Sequence, residues 1–260
     1  MNHVTATLIT RDEEKNLPRA LASLAGIADE ILVVDCGSTD RTRPIAYQHG
    51  ARVLERAWTD FSDQKNFAAA QARHDWILSL DADEELSPAL QEELRRWKEQ
   101  AAPAEAYAMP RKARYLGRWV LHSGWYPDPK RRLYRRDRAR FAGRLHESLE
   151  VDGLVGRFQG ELYHYTFDTV SDHIEQINTY TSLAATELFA AGRRRWFLPL
   201  LVAPAWTFVR TYLLQQGFRD GYPGWLIARM AAYYVFLKYL KVAVLVRGGS
   251  LQPEPESSRP

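Results

Sequence analysis

Over residues 1–100, short apolar runs alternate with helical periods. "VTATLI", "EILVVD", "ARVLER" and "WILSLD" read as four strands, and Leu17, Ala20, Leu21 and Leu24 recur between the first two at helical spacing. Such alternation predicts an α/β fold with a mostly parallel, doubly wound sheet, whose ligands gather at the C-terminal edges of the strands. From 101 to 168 the runs shorten and are broken by Gly and Pro, with dense Arg and Trp as in "RWVLHSGWYPDPKRRLYRR". This stretch reads equally as an antiparallel extension of the sheet or as a wall for a bulky anionic ligand. From Thr169 the helical period returns. "SDHIEQINTYTSLAATELFAAG" puts Ile174, Ile177, Thr181, Ala184 and Leu188 on one face and stops at Gly192. Two apolar segments follow, "WFLPLLVAPAWTFVRTYLL" and "WLIARMAAYYVFLKYLKVAVLV". Pro199, Pro204 and Arg210 interrupt the first, and Arg229, Lys238 and Lys241 the second, so both are expected to lie in a membrane interface with their cationic stems snorkelling. A packed helical pair is the plainer alternative. The pattern divides the chain at 168 and 247, leaving a tail, 248–260, expected to be disordered.

Charge sharpens the C-terminal reading. The net charge is only +3, yet Arg193, Arg194, Arg195, Arg210, Arg219, Arg229, Lys238, Lys241 and Arg247 face a single acid, Asp220, over residues 190–247. An anionic membrane surface suits that excess. No nucleic-acid-binding module accompanies the arginines, so nucleic acid is set aside. Cys36 is the only cysteine, which excludes an internal disulfide or a cysteine metal site and fits a reducing compartment. "MNHVTATLIT" begins a strand and lacks a secretory pattern, so a cytoplasmic location is expected.

Candidate chemistry clusters where the strands end. "WILSLDADEEL" places Asp81, Asp83, Glu84 and Glu85 directly behind a buried run. The two glutamates can sit near the N-terminus of a helix started by Ser87-Pro88. Asp81 and Asp83 remain, and two carboxylates at such an edge can share a divalent cation or a cation-bound diphosphate. Asp35 ends the second strand and is expected to face a ligand, with Gly37, Ser38 and Asp40 shaping the turn behind it. Lys65 in "DQKNFA" brings a positive charge suited to a diphosphate, or else belongs to the polar first turn of a helix.

The ordered set "LITRDEEKN", "EILVVDCGSTDRT", "DQKNFA", "WILSLDADEELS", "GWYPDPKRRLYRR", "GRLHES", "LYHYTF" and "GFRDGYPG" resembles the inverting family 2 glycosyltransferases, within them the lipopolysaccharide core β-1,4-glucosyltransferases. The resemblance runs to about Arg247 and implies a GT-A fold, a UDP-sugar donor and Mg2+ or Mn2+. It implies a catalytic domain over 1–168, its halves 1–100 and 101–168 serving nucleotide-sugar and acceptor, followed by a membrane-associating helical region over 169–247. Thr10, Glu13 and Asp35 would surround uracil and ribose. Lys65 would meet the diphosphate, Asp81 the ribose or sugar, and Asp83 with His164 the metal. Glu147 is the expected base, with Glu84 as the alternative, and Arg131, Arg132 and His146 are expected on the acceptor side. Cys36 and Asp12 depart from the family's usual Ser and Asn. The acceptor would be a lipid-linked or lipopolysaccharide saccharide at the cytoplasmic face of the inner membrane, with the protein bound peripherally. Two other classes compete: a sugar-phosphate nucleotidyltransferase, which wants a glycine-rich loop that "TRDEEKN" lacks, and a non-catalytic membrane-binding protein.

Overall fold

The computed structural model describes residues 1–143 and 147–251; His146 and the tail from residue 252 onward lie outside the described residues. Two compact units form, one of Met1–Ala113 with Pro127–Thr166, the other of Arg114–Tyr126 with the chain from Phe167 onward.

The first unit opens with β1 (Val4–Thr10), α1 (Leu17–Ser23), β2 (Glu30–Asp35), α2 (Thr42–Gln48), β3 (Arg52–Glu55), α3 (Phe61–Gln71) and β4 (Trp76–Ser79). β3, β2, β1 and β4 lie side by side and are all parallel, with Thr10 level with Asp35 at the shared C-terminal edge. Their alternate residues are buried on both faces, as a sheet covered by helices requires. Leu8, Leu17, Leu21, Leu24, Val33 and Leu78 fill one side of this core.

A short strand that the sequence analysis did not separate, β5 (Glu84–Leu86), follows the acidic loop and leads into α4 (Pro88–Lys98). Ser87 caps α4, accepting from the Leu90 N–H at 3.2 Å, so Glu84 and Glu85 are strand residues and not helix caps. Next come β6 (Ala106–Tyr115), β7 (Arg118–Trp119), β8 (Asp128–Arg135), β9 (Ala139–Ala142), β10 (Ser148–Val151), β11 (Val155–Arg157) and β12 (Leu162–Phe167). From β8 the ladder turns antiparallel: β8 pairs with β4 and β6, and β12 with β5. The α/β fold with its parallel half is thus as the sequence predicts, and the arginine-rich stretch supplies the antiparallel extension.

Ahead of β12 the chain passes against α4. The Glu93 carboxylate accepts from the Gln159 and Gly160 N–H groups, and a Cβ on Gly160 would lie 2.4 Å from the Leu90 backbone. Gly160→Ala is therefore expected to cost about 1–3 kcal/mol through overpacking, read as a lower denaturation midpoint. An unchanged midpoint would show that the loop gives way freely.

The second unit contains α5 (Val170–Ala190), α6 (Phe197–Val209), a π-helical turn (Arg210–Leu214) and α7 (Tyr222–Val246). Thr169 and Asp172 form a reciprocal capping box at the start of α5. The buried face of α5 is His173, Ile177, Thr181 and Ala185; the expected stripe is corrected at its ends, with Ile174 exposed. α7 packs against both α5 and α6. Lys241, expected to snorkel, instead donates its Nζ to Asn178, Thr181 and Ser182 of α5. Asp220 is likewise used internally, accepting from the Leu121 and His122 N–H groups and meeting His122 Nδ1 at 2.8 Å. Among the described residues one stretch, Phe197–Leu214, is long and apolar enough by length and composition to cross a membrane, with a mean hydropathy of 1.4.

Candidate active site

All the described candidate residues belong to the first unit. Strand ends, a helix and two antiparallel strands bring them together.

The turn after β2 is tied down by Asp35. Its fully buried carboxylate accepts from Thr10 Oγ1 at 3.1 Å, from the Gly37 and Ser38 N–H groups at 3.2 and 2.9 Å, and from the Ser38 hydroxyl. This corrects the expectation that Asp35 faces a ligand: its lone pairs hold the turn. Asp40 braces the same turn, accepting from the Glu14 N–H at 3.0 Å and from Thr42. Asp12 sits in the left-handed region, φ 54°, and its Oδ1 accepts from the Thr39 N–H at 2.8 Å. A carboxylate accepts there as an Asn carbonyl would, so the departure at this position keeps the turn. Beside it, burial raises the Glu13 carboxyl above its usual range, the Asn16 amide opposes this with a 3.0 Å hydrogen bond, and the charges of Asp83, Asp40 and Asp81 add to the rise. Glu13 therefore lies within electrostatic reach of the acidic loop after β4.

Lys65 projects from α3, whose N-cap Asp60 accepts from the Asp63 N–H at 2.9 Å. Only 3% of the Lys65 side chain is exposed, and its Nζ stands 2.9 Å from Asp81 Oδ1 and 3.1 Å from Glu147 Oε1. α3 also fixes the strand that leads to Glu147. The Asn66 side chain exchanges two hydrogen bonds with the Phe141 backbone, and Ser62 Oγ donates to the Gly143 carbonyl at 2.5 Å.

On the other side of Asp81 lies Arg132. The β4–β8 register sets Leu133 against Leu78, which brings Arg132 to the end of β4. Its guanidinium pairs with Asp81 and, at 2.6 Å, with Glu84. Glu84 also meets Arg111 at 3.3 Å, and Arg111 meets Asp128 at 2.7 Å. Charges thus alternate in a row: Glu147, Lys65, Asp81, Arg132, Glu84, Arg111, Asp128. Burial alone would raise the Asp81 carboxyl, but Arg132 and Lys65 outweigh it and hold it far below the ordinary range. Burial would lower the Arg132 pKa; Asp81 and Glu84 reverse that and keep the guanidinium charged.

Two expectations are corrected by this row. Arg132 is buried and committed to carboxylates, so it does not face an acceptor. Glu84 is fully buried between two arginines and also accepts from the Asp81 N–H at 3.1 Å, which leaves it no access to a hydroxyl proton. Arg131 remains exposed, with one guanidinium nitrogen donating to the Leu149 carbonyl at 2.8 Å. The structural role of the row was not legible, because the β6–β8 register is irregular at Arg132, with Arg131 opposite Ala108 and Leu133 opposite Tyr107.

Asp83 stands outside the row. β12 pairs His164 with Glu84, and the Tyr165 N–H donates to the Asp83 carbonyl at 3.0 Å, so His164 Nε2 comes to 3.1 Å from Asp83 Oδ2. No group of three or more His, Cys, Asp or Glu ligands occurs among the described residues. A carboxylate and an imidazole 3.1 Å apart are nevertheless donors of the kinds Mn2+ or Mg2+ accept, and these ions take few protein ligands when phosphate oxygens and water complete the shell.

The model of the family described as Glycosyl transferase family 2 matches residues 5–150. An uncharacterized glycosyltransferase of Rickettsia felis is 30% identical, the match covering 93% of this chain and 90% of that protein. The lipopolysaccharide core biosynthesis glycosyltransferase LpsC of Rhizobium meliloti is 29% identical over 92% of this chain and 91% of its own. Among solved structures, Staphylococcus aureus TarS 1-349 in complex with UDP-GlcNAc shares 15% identity with a TM-score of 0.48, covering 96% of this chain and 93% of that one.

Proposed function

Because the chain belongs to glycosyl transferase family 2, we propose that it is a metal-dependent, inverting hexosyltransferase acting on a UDP-sugar, with glucose the favoured sugar. The acceptor in this reading is a lipid-linked or lipopolysaccharide core saccharide, a choice supported by the similarity to LpsC. The observation that carries it is that one unit holds both an Asp83–His164 pair and a buried Lys65 that touches Glu147. Those groups provide, within one unit, a cation site, a fixed positive charge and a carboxylate base.

Asp83 and His164 would hold the divalent cation, which when bound would neutralise the diphosphate leaving group. Glu13, with the turn that Thr10 and Asp35 maintain, flanks the uridine. Lys65 offers its charge to the diphosphate, and Asp81 orients Lys65 from the ribose side. Glu147 takes the proton of the acceptor hydroxyl as that oxygen bonds to the anomeric carbon and the bond to UDP breaks on the opposite face, which inverts the centre. Arg131 remains the acceptor-side cation. A thermal-shift screen of nucleotide sugars with Mn2+ tests the whole reading. A UDP-sugar at about a hundred times its Kd should add roughly 2.7 kcal/mol of stability, and chelator should remove the gain. An equal response to every nucleotide, or none, would defeat it.

We further propose that the protein binds peripherally at the cytoplasmic face of the inner membrane. Leu198, Leu201, Val202 and Trp206 of α6 are exposed, and Arg193, Arg194 and Arg195 precede them. In vesicle flotation the full chain should rise with anionic lipid and less so in high salt, with a residual fraction held by apolar insertion. Equal flotation on neutral vesicles would remove the electrostatic part of the claim.

A further inference from the structure

Within the second unit, α5 and α6 both lean on α7 and leave a groove of about 420 Å³, inside the roughly 300–1,000 Å³ range of small-ligand pockets. Ile177, Ile227, Met230, Ala231 and Val235 make its walls mainly apolar, with Gln176, Tyr180, Thr207 and Tyr234 adding uncharged polar groups. His173 borders the groove and adds no charge. Its Nδ1 is 3.0 Å from the Tyr115 hydroxyl, and burial lowers its pKa to about 4, so the ring is neutral near pH 7. The one charged residue on the lining is Arg210. It begins the π-helical turn, a distortion frequent at functional sites, and its guanidinium has no partner among the described residues. Apolar walls with one unpaired cation complement an amphiphile that carries a single anionic head.

We propose that this groove binds one alkyl chain of a phosphate-bearing amphiphile, with the phosphate on Arg210. The occupant is lipid and not free phosphate, because the apolar walls contribute nothing to a bare anion. A chain can reach the groove from a lipid surface, since the helical run that supplies Arg210 also exposes Leu201, Val209 and Leu213. The site goes beyond sugar transfer and does not depend on it: none of its lining residues belongs to the row around Asp81.

The test is calorimetric titration of the full chain with dodecyl phosphate below its micelle concentration, with dodecanol and inorganic phosphate as separate arms. One saturable site per chain is expected for dodecyl phosphate. Arg210→Gln should weaken it by about tenfold or more, the scale of a lost charge-assisted contact, while leaving any weak dodecanol binding unchanged. Ala231→Phe, which fills the groove, should abolish saturable binding in a variant whose thermal transition is intact; if that variant does not fold, the Arg210→Gln comparison alone decides. Inorganic phosphate binding as tightly as dodecyl phosphate would overturn the proposal. So would dodecanol binding as tightly, or an affinity indifferent to Arg210→Gln. Because no sugar donor is present, failure here leaves the transferase reading untouched, and a failed transferase assay leaves this site untouched.

Discussion

Asp83→Ala is expected to abolish sugar transfer and Mn2+-dependent UDP binding together. The carboxylate stands 3.1 Å from His164 Nε2 and, unlike Asp81, has no arginine or lysine partner among the described residues. An isolated imidazole cannot replace it, because a hard divalent ion prefers oxygen. The fold should survive, since the side chain is half-exposed and the β5–β12 pairing relies on backbone groups. The measurement is UDP titration with Mn2+ and with chelator, beside a thermal melt. A normal Mn2+-dependent affinity in a well-folded variant would remove the metal assignment and return Asp83 to a partner of His164.

Glu147→Gln is expected to keep donor binding and lower turnover by roughly a hundredfold or more, the scale of a lost general base. The amide preserves size but cannot take a proton. Lys65 then loses one of its two carboxylate partners and keeps Asp81 at 2.9 Å, so the UDP site stays charged and ordered. Single-turnover transfer, with UDP affinity measured separately, distinguishes the two effects. Since Glu84 is enclosed by Arg132 and Arg111, normal turnover in this variant would require a base from elsewhere in the chain.

The parallel half of the sheet was legible because its signal is local. Apolar runs such as "EILVVD" end in polar turns, and each is followed by a helical period. The pairing of Asp83 with His164 was named from the resemblance, but the sequence does not give the β5–β12 register that joins positions so far apart. β5 itself escaped for the same reason: three residues, two of them acidic, have no strand pattern until β12 supplies a partner. The charged row shows the opposite failure. Arg132 is expected on the acceptor side, whereas here Asp81 and Glu84 together offset the cost of burying it. In α5, Ile174 and Ile177 compete for the inner face, and packing on α7 selected the stripe that includes the polar residues His173 and Thr181.

Lys65 touches Asp81 and Glu147 at once, and this contact sets a sequence of events for the proposed transfer. A lysine ammonium has three protons to give, and an arriving diphosphate competes for them with both carboxylates. Asp81 is also gripped by Arg132, whereas Glu147 has no second cation partner among the described residues, so Glu147 is the one displaced. Until the nucleotide is seated, then, the proton acceptor is engaged and idle; afterwards it is released toward the hydroxyl. In that reading catalysis would be gated by occupancy, and compulsory order, nucleotide first and saccharide second, is the expected kinetic signature.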